Sequence, residues 1–228
     1  MDNRISVACK LADHILWESY AQSTDGDEDC ATHILFPQLR DQNLRVSEQE
    51  ARFAFVEALC QGPLLYSVET PTRKTYKFTD KTQRPQSAQT DLSVHYNKSQ
   101  CICNVEFKAK GVSRRARELF RIYKDIQKLL REPVWGLWFH LLESVNKSTI
   151  NNLLEVITTK IDEVQNEFKD IDSEGLTLHV CVLKHGFSLE RDIPFRANGP
   201  MNIHVDLRVS QTELLEVVNL NGWTIHRW

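Results

Sequence analysis

Apolar residues recur along the chain at two spacings, and these spacings predict the order of helices and strands. Spacings of three and four predict an amphipathic helix that opens the chain, a second helix between Ser47 and Gly62, a third over 114–131 and a long fourth from about Ser148. The second helix has the clearest start, because Ser47 is a natural N-cap and Glu50 follows three residues later, as in a capping box.

Segments typical of strands lie between these predicted helices. Residues 63–78 are rich in β-branched and aromatic side chains, with a bend expected at Pro71, and residues 136–143 and 176–186 are mainly apolar. The segment 79–90 is polar and without periodicity, which predicts a loop.

Residues 90–111 predict a hairpin with one apolar and one polar face, because side chains alternate between the two faces of a strand. A turn at Lys98 and Ser99 pairs Leu92 with Val105, Val94 with Cys103 and Tyr96 with Cys101. Phe107 extends the apolar face. The polar face carries Asp91, Ser93, His95, Asn104, Glu106 and Lys108.

In this register Asp91 lies directly opposite Glu106. Like charges that face each other across a ladder are destabilising, and a divalent cation between them would remove the repulsion. The alternative is a half-buried hairpin whose polar face lies in water, and a change of register by one residue would separate the two acids.

Composition limits the classes of protein without choosing one. The chain has 228 residues, enough for one well-packed domain with extensions, and its net charge of -3 means that a nucleic-acid partner must be bound by a local patch. Its six cysteines show no disulfide or zinc-finger pattern, which favours a reducing compartment. Charged residues interrupt the first apolar segment and no apolar run could span a bilayer, so we expect a soluble cytoplasmic protein without membrane contact.

A local basic patch is predicted on the third helix. Opposite an apolar stripe of Ala116, Leu119, Phe120, Tyr123, Ile126 and Leu130 lie Arg114, Arg117, Arg121, Lys124 and Lys128. Such a ridge can follow a phosphate backbone, together with Arg73, Lys74, Lys77, Lys81 and Arg84 in the region before the hairpin. The alternative is an ordinary solvated helix face.

The order of elements and the acids at the centre of the sheet resemble the PD-(D/E)xK nuclease superfamily. Asp91 matches the first acid of its motif, with Thr90 in the place of the proline, and Glu106-Phe107-Lys108 matches the E-x-K. The resemblance implies an α/β protein with a restriction-endonuclease-like central mixed sheet flanked by helices. It covers a core at 47–185, between an N-terminal helical extension at 1–46 and a C-terminal β and irregular extension at 186–228.

The resemblance also implies the roles of individual residues. Asp91, Glu106 and the backbone carbonyl of Phe107 would hold Mg²⁺, for which Mn²⁺ can substitute, and Lys108 would orient or deprotonate the attacking water with a lowered pKa. Glu50 is the expected additional acid from the preceding helix, with Glu48 as the alternative and a purely capping role for Glu50 as its competitor. Gln127 and Lys124 would support the phosphate.

These expectations together predict a metal-dependent nuclease that hydrolyses phosphodiester bonds, with DNA as the expected substrate. The competing hypotheses are a non-catalytic module that binds nucleic acid or protein on the same fold, and an interaction scaffold whose polar hairpin face is merely wet. Trp223, Ile225 and Trp228 make the C-terminal extension a candidate surface for a homodimer or a protein partner.

Overall fold

The computed structural model describes residues 1–25, 32–39, 44–76, 84–195, 203–210 and 215–228. Its helices are α1 (Asn3–Asp25), α2 (Glu48–Cys60), α3 (Ala116–Arg131) and α4 (Lys147–Glu167), with a short 3-10 helix at Leu183–His185. Its strands are β1 (Leu65–Tyr76), β2 (Gln86–Asn97), β3 (Gln100–Ala109), β4 (Trp135–Leu142), β5 (Gly175–Val182), β6 (Phe187–Pro194), β7 (Asp206–Val209), β8 (Leu215–Asn219) and β9 (Thr224–Arg227).

The strands form a mixed seven-stranded sheet in the order β1-β2-β3-β4-β5-β6-β9, and β7 pairs with β8 in a separate two-stranded sheet. Strands β3, β4 and β5 run parallel, whereas the other neighbouring pairs are antiparallel. This architecture confirms the predicted α/β class with a mixed central sheet flanked by helices.

Alternation along the strands sends side chains into two cores, one on each face of the sheet. In β4, Phe139 and Leu141 join the core that α1 and α2 cover, whereas Trp138 and Leu142 join the core that α3 and α4 cover. The β7–β8 pair contributes Leu207 to the second core. The polar face of β3 therefore looks toward α3.

Both terminal segments pack on this sheet. Helix α1 buries Ile5, Ala12 and Leu16 in the same core as α2, and β6 and β9 extend the central sheet beyond β5. None of the helices in the described ranges is both long and apolar enough to cross a membrane. Cys9, Cys60, Cys101, Cys103 and Cys181 are free thiols.

Two local predictions can be compared directly with the structure. Helix α2 begins with the expected capping box, in which the Ser47 side chain accepts a hydrogen bond from the Gln49 amide and Glu50 accepts one from the Ser47 amide. In the hairpin, Leu92 pairs with Val105 and Val94 with Cys103 as predicted, but His95, not Tyr96, pairs with Cys101. The error arises from irregularities on both sides of His95, which break strict alternation near the turn.

The predicted stripe of α3 is partly wrong. Ala116 and Phe120 are exposed, with 42% of Phe120 accessible, whereas Gln127 and Lys128 are buried beside Ile126. Helix α3 presents Lys128 to the sheet because the Glu106 carboxylate of β3 lies underneath and pairs with it. Periodicity in a single helix cannot reveal this pairing.

Candidate active site

The acids predicted to meet in the hairpin lie where β2 and β3 separate. Ladder pairing ends at Leu92 and Val105, one step before Asp91 and Glu106. At that step Asp91 Oδ2 accepts a hydrogen bond of 2.9 Å from the Phe107 amide, and Asp91 Oδ1 lies 3.2 Å from Arg52 Nη2 on α2. The Asp91 carboxylate is therefore held in a defined orientation at the end of β3.

The Lys108 ammonium lies among the groups predicted to bind a cation. It donates a hydrogen bond of 2.9 Å to the Phe107 carbonyl, the predicted backbone ligand. The carboxylate oxygens around its Nζ are Asp125 Oδ2 at 3.0 Å, Glu106 Oε2 at 3.9 Å, Asp91 Oδ2 at 4.0 Å and Glu48 Oε1 at 4.0 Å. Four elements, α2, β2, β3 and α3, thus direct oxygen atoms at one positively charged position.

Lys128 supplies a second buried ammonium, which corrects its predicted place on an exposed basic ridge. Its Nζ lies 2.5 Å from Glu106 Oε1 and 2.9 Å from Asp125 Oδ1, and it donates to the Gln89 carbonyl. Glu106 is 1% exposed, so this partner stabilises a carboxylate that has lost its hydration. We call Glu48, Arg52, Asp91, Glu106, Lys108, Asp125 and Lys128 together the charged cluster.

Burial and mutual charge shift the protonation of this cluster. Burial raises the pKa of Glu106 well above its ordinary value, and the charges of Asp125 and Asp91 add to that rise while Lys128 and Lys108 oppose it. Burial would raise the pKa of Asp125, but Lys108 and Lys128 outweigh it and hold the pKa below the usual range. Asp125 therefore depends on the two lysines for its charge, whereas the pKa of Glu106 stays raised in spite of them.

The pKa of Lys108 is raised, whereas the resemblance to the nuclease superfamily implied a lowered pKa. Burial alone would lower it, but the carboxylates of Asp125, Glu106, Glu48 and Asp91 outweigh burial and raise the pKa of Lys108 above its usual range. Lys108 is consequently a charged hydrogen-bond donor in this arrangement rather than a ready base.

The helical acid at the cluster is Glu48, not the preferred Glu50. The Glu50 Oε2 atom accepts hydrogen bonds from the Ser47 amide and the Ser47 hydroxyl, so its carboxylate is engaged by the cap. Glu48, two residues earlier, turns toward Lys108. The capping alternative therefore describes Glu50, and Glu48 takes its place among the candidate site residues.

A cleft of about 310 Å³ opens beside the charged cluster. Glu48, Lys108 and Asp125 form part of its wall, and its other lining residues are Ala109, Lys110, Gly111, Val112, Glu118, Arg121, Ile122, Lys124, Trp138 and His140. The cluster therefore meets a concave surface that also carries positive charge.

His140 is a neutral part of the cleft wall. Its Nδ1 accepts from the Trp138 indole N–H at 3.3 Å, which leaves Nε2 to donate to the Lys110 carbonyl at 2.7 Å. Burial lowers the pKa of His140 to about 4, and the charge of Lys108 contributes to the lowering.

The other predicted phosphate contacts differ in their partners. Arg114, Arg117 and Arg121 are all exposed, but the Arg114 guanidinium is held by Asn152 Oδ1 at 2.7 Å and Glu155 Oε2 at 2.8 Å on α4. Gln127 is buried, and its Oε1 makes no hydrogen bond.

The basic residues of the region before the hairpin differ in their partners. Lys74 pairs with Asp170 and Asp172, whereas Arg73 and Arg84 are exposed. Lys77 and Lys81 lie outside the described residues.

Asp125 and Arg52 belong to the charged cluster but were not predicted from the sequence. A signal existed for each: Asp125 lies three residues before Lys128 and Arg52 four after Glu48, spacings that place side chains on one face of a helix. Neither spacing identifies a site without knowledge of which face meets β3.

The donor set of the cluster fits a hard divalent cation. Asp91, Glu106 and the Phe107 carbonyl offer oxygen ligands, and Mg²⁺ needs only one or two carboxylates because it retains several waters. Within the described part of the chain, the acids of the cluster do not bring three carboxylate oxygens within 4.8 Å of one another. A cation here would bind through two acids, the carbonyl and water.

Comparison with known proteins adds no family to this picture, since no family model, curated protein or solved structure matches the chain.

Proposed function

We propose that the chain is a metal-dependent nuclease of the PD-(D/E)xK type, with a restriction-endonuclease-like core. The observation that carries the proposal is the convergence of Asp91, Glu106 and the Phe107 carbonyl on one cationic position beside a cleft with basic residues. The order α2, β1, β2, β3, α3, β4, with the acids on β2 and β3, supports it.

Magnesium held by Asp91, Glu106 and the Phe107 carbonyl would stabilise the charge that develops on a phosphate and lower the pKa of a bound water. The cluster orients the ligands for this task. Arg52 and the Phe107 amide fix Asp91, while Lys128 contacts one oxygen of Glu106 and leaves the other facing Lys108. Positioned ligands reduce the reorganisation needed during the reaction.

Lys108 has the role of a charged donor next to the reacting phosphate. A cation that shares its oxygen partners requires its ammonium to move away from the Phe107 carbonyl toward the cleft, where Lys108 already forms part of the wall. There it can donate a hydrogen bond to a non-bridging phosphate oxygen or to the attacking water.

DNA is the proposed substrate, and the cleft is the proposed path of its backbone. Lys110, Arg121 and Lys124 line the cleft close to Lys108. Phosphates dominate nucleic-acid affinity, and side chains of this type contact them without reading sequence. Hydrolysis by the mechanism of this superfamily would leave a 5′-phosphate and a 3′-hydroxyl.

The test is cleavage of supercoiled plasmid and of single-stranded DNA with Mg²⁺, Mn²⁺ or chelator. Wild type should cut only with a divalent cation, and Asp91→Asn should lose at least about a hundredfold in rate because a ligand is removed. Arg114→Ala is the matched surface control, since its guanidinium binds α4. Cleavage that survives both Asp91→Asn and Glu106→Gln would rule out this site.

One observation favours a second candidate, a module that binds nucleic acid or protein without catalysis. The four acids Glu48, Asp91, Glu106 and Asp125 already pair with three cations, Arg52, Lys108 and Lys128. A cluster in which most of the charge is paired internally can be purely structural. DNA binding without cleavage, together with no effect of Mg²⁺ on stability, would select this candidate.

A further inference from the structure

A second group of chemically active side chains lies on the opposite face of the sheet, between α1 and the strands β5 and β6. Cys9, His179 and Glu190 bring a sulfur, a ring nitrogen and a carboxylate oxygen within 4.8 Å of one another. Cys9 and His179 are fully buried, and 14% of the Glu190 side chain is exposed. We call these three residues the Cys-His-Glu group.

The fold places these residues together by regular geometry. His179 and Glu190 are direct partners in the antiparallel β5–β6 ladder, so their side chains share the face that α1 covers. On α1, Cys9 and Asp13 are four residues apart and therefore on one side of the helix. The group is thus built from rigid elements rather than loops.

Two of its atoms are buried without hydrogen bonds. His179 Nδ1 and Glu190 Oε2 face each other at 3.4 Å, and neither makes a hydrogen bond. Buried polar atoms in native proteins are nearly always satisfied, and a bound ion is one of the accepted explanations for an exception.

Hydrogen bonds from neighbouring residues fix the orientation of His179 and Glu190, as outer partners fix the ligands of a metal ion. His179 Nε2 lies 2.8 Å and 3.0 Å from the two oxygens of Asp13, which leaves Nδ1 as the free ring nitrogen. Ser188 donates to Asp13 at 2.6 Å, and Ser6 donates to the other oxygen of Glu190 at 3.1 Å. A carboxylate behind a histidine is the common outer partner of a zinc ligand.

A further histidine can complete the coordination. His226 on β9 pairs with Ser188 on β6, so it lies on the same face of the sheet as Glu190. Its Nε2 is also buried without a hydrogen bond. Structural zinc sites take four protein ligands. The ring nitrogens of His226 are not among the atoms that lie within 4.8 Å of one another, so His226 becomes the fourth ligand only if its side chain turns toward the group.

We propose that Cys9, His179 and Glu190, with His226 as the fourth ligand, form a zinc site that ties α1 to the C-terminal strands. The thiolate and imidazole donors favour zinc over Mg²⁺. Tetrahedral zinc separates its ligand atoms by about 3.3 to 3.7 Å, so the group needs only a small contraction to close around the ion.

Charge balance agrees with this assignment. Binding of Zn²⁺ displaces the Cys9 thiol proton and the proton on His179 Nδ1, and both protons pass to solvent. Because two protons leave and a doubly charged ion enters, the net charge of the buried site is unchanged. The competing state is a metal-free ion pair in which protonated His179 lies between Asp13 and Glu190.

The test replaces zinc with Co²⁺ in the full-length chain carrying Asp91→Asn, so that the other candidate site is removed. Cobalt bound to a cysteine thiolate gives a near-ultraviolet charge-transfer band, and the charged cluster contains no cysteine. We expect one equivalent of zinc as purified, a thiolate band with Co²⁺, and loss of that band in Cys9→Ala.

Two variants separate ligation from folding. Cys101→Ala, a half-buried cysteine outside the group, should keep the band. Asp13→Asn should keep the band but weaken Co²⁺ binding by about ten to a hundredfold, as expected for an outer partner. Chelator should lower the melting temperature of the parent protein and leave that of Cys9→Ala unchanged.

Folded protein without bound zinc and without a thiolate band would overturn the proposal and assign the group to the metal-free ion pair. Retention of the band in folded Cys9→Ala would equally overturn it. Both results are independent of nuclease activity.

Discussion

In the proposed site, Lys108 would compete with a cation for the same oxygen atoms. Its Nζ faces Asp91, Glu106, Asp125 and the Phe107 carbonyl. Each of these groups can be satisfied by the ammonium or by a metal ion. We therefore expect one substitution to have opposite effects on cation affinity and on catalysis.

Replacement of Lys108 by Met should tighten Mg²⁺ and Mn²⁺ binding at least about tenfold, because carboxylates that lose an adjacent charge attract a cation more strongly. Cleavage should fall about a hundredfold or more, because the donor beside the phosphate is lost. Titration calorimetry and the plasmid assay measure the two quantities.

Lys110→Met is the matched control, because Lys110 lines the cleft outside the charged cluster. It should leave cation affinity unchanged. Equal cation affinities in wild type and Lys108→Met would show that Lys108 and the cation do not share oxygen partners.

His140 predicts a pH dependence of folding. Its pKa is lowered from 6.5 to about 4 by burial, so the unfolded chain takes up a proton first as the pH falls. Stability is therefore lost between about pH 6.5 and pH 4. Wild type should lose about 2 kcal/mol more than His140→Gln between pH 7 and pH 5 in urea unfolding. Identical pH profiles of the two proteins would contradict the assignment of a neutral buried histidine.

The positions of single residues were predictable where the alternation of side chains along a strand determines which face each one occupies. Asp91, Glu106 and Lys108 follow from one hairpin register, whereas Lys128 was assigned to solvent because its acidic partner lies on another element. The choice between Glu48 and Glu50 depended on whether the cap holds Glu50, and neighbouring residues alone cannot decide that.

At the scale of elements, Glu132 joins the end of α3 to the bend in β1. Its buried carboxylate accepts hydrogen bonds from the Arg73 and Lys74 amides and from the Tyr76 hydroxyl, at 2.8 to 3.0 Å. These bonds satisfy backbone groups close to the irregularity between Pro71 and Thr75.

Glu132→Gln should destabilise the fold by about 2 to 3 kcal/mol, because an amide donor would then face a backbone N–H. The free energy of unfolding in urea measures this loss. Asp162→Asn, an exposed acid on α4, is the control and should change stability by less than about 0.5 kcal/mol. A loss of similar size in both variants would show that Glu132 does not anchor β1 to the end of α3.

Helix α3 provides a test of the DNA path. In the inactive Asp91→Asn background, Arg121→Ala should weaken DNA binding and reduce the salt slope of log affinity by about one, as for the loss of one phosphate contact. Arg114→Ala should have no such effect, because α4 holds its guanidinium. Fluorescence anisotropy at several salt concentrations measures both. Equal losses would place the DNA along the outer face of α3 instead of the cleft.

Elements were predictable where local chemistry defines them. The capping box of α2 and the pairing of Leu92 with Val105 follow from short sequence patterns. Two other features do not follow from such patterns: which side chains of α3 face the sheet, and the shift of pairing at His95. Packing against other elements determines both.

At the scale of the whole molecule, the parallel strands β3, β4 and β5 place α3 and α4 on one face of the sheet and leave the other to α1 and α2. The class of fold was predictable because helical and strand periodicities alternate along the chain. The meeting of Asp13 with His179 was not, since these residues are 166 positions apart and only the folded sheet brings α1 over β5.

Anomalous diffraction from a crystal soaked in Mn²⁺ tests directly whether Asp91 and Glu106 bind a cation together. We expect one strong peak about 2.2 Å from oxygens of both Asp91 and Glu106. We also expect that the Lys108 ammonium has moved away from the Phe107 carbonyl. A soaked crystal with no peak between these two acids, in which Lys108 still donates to that carbonyl, would contradict the proposed site.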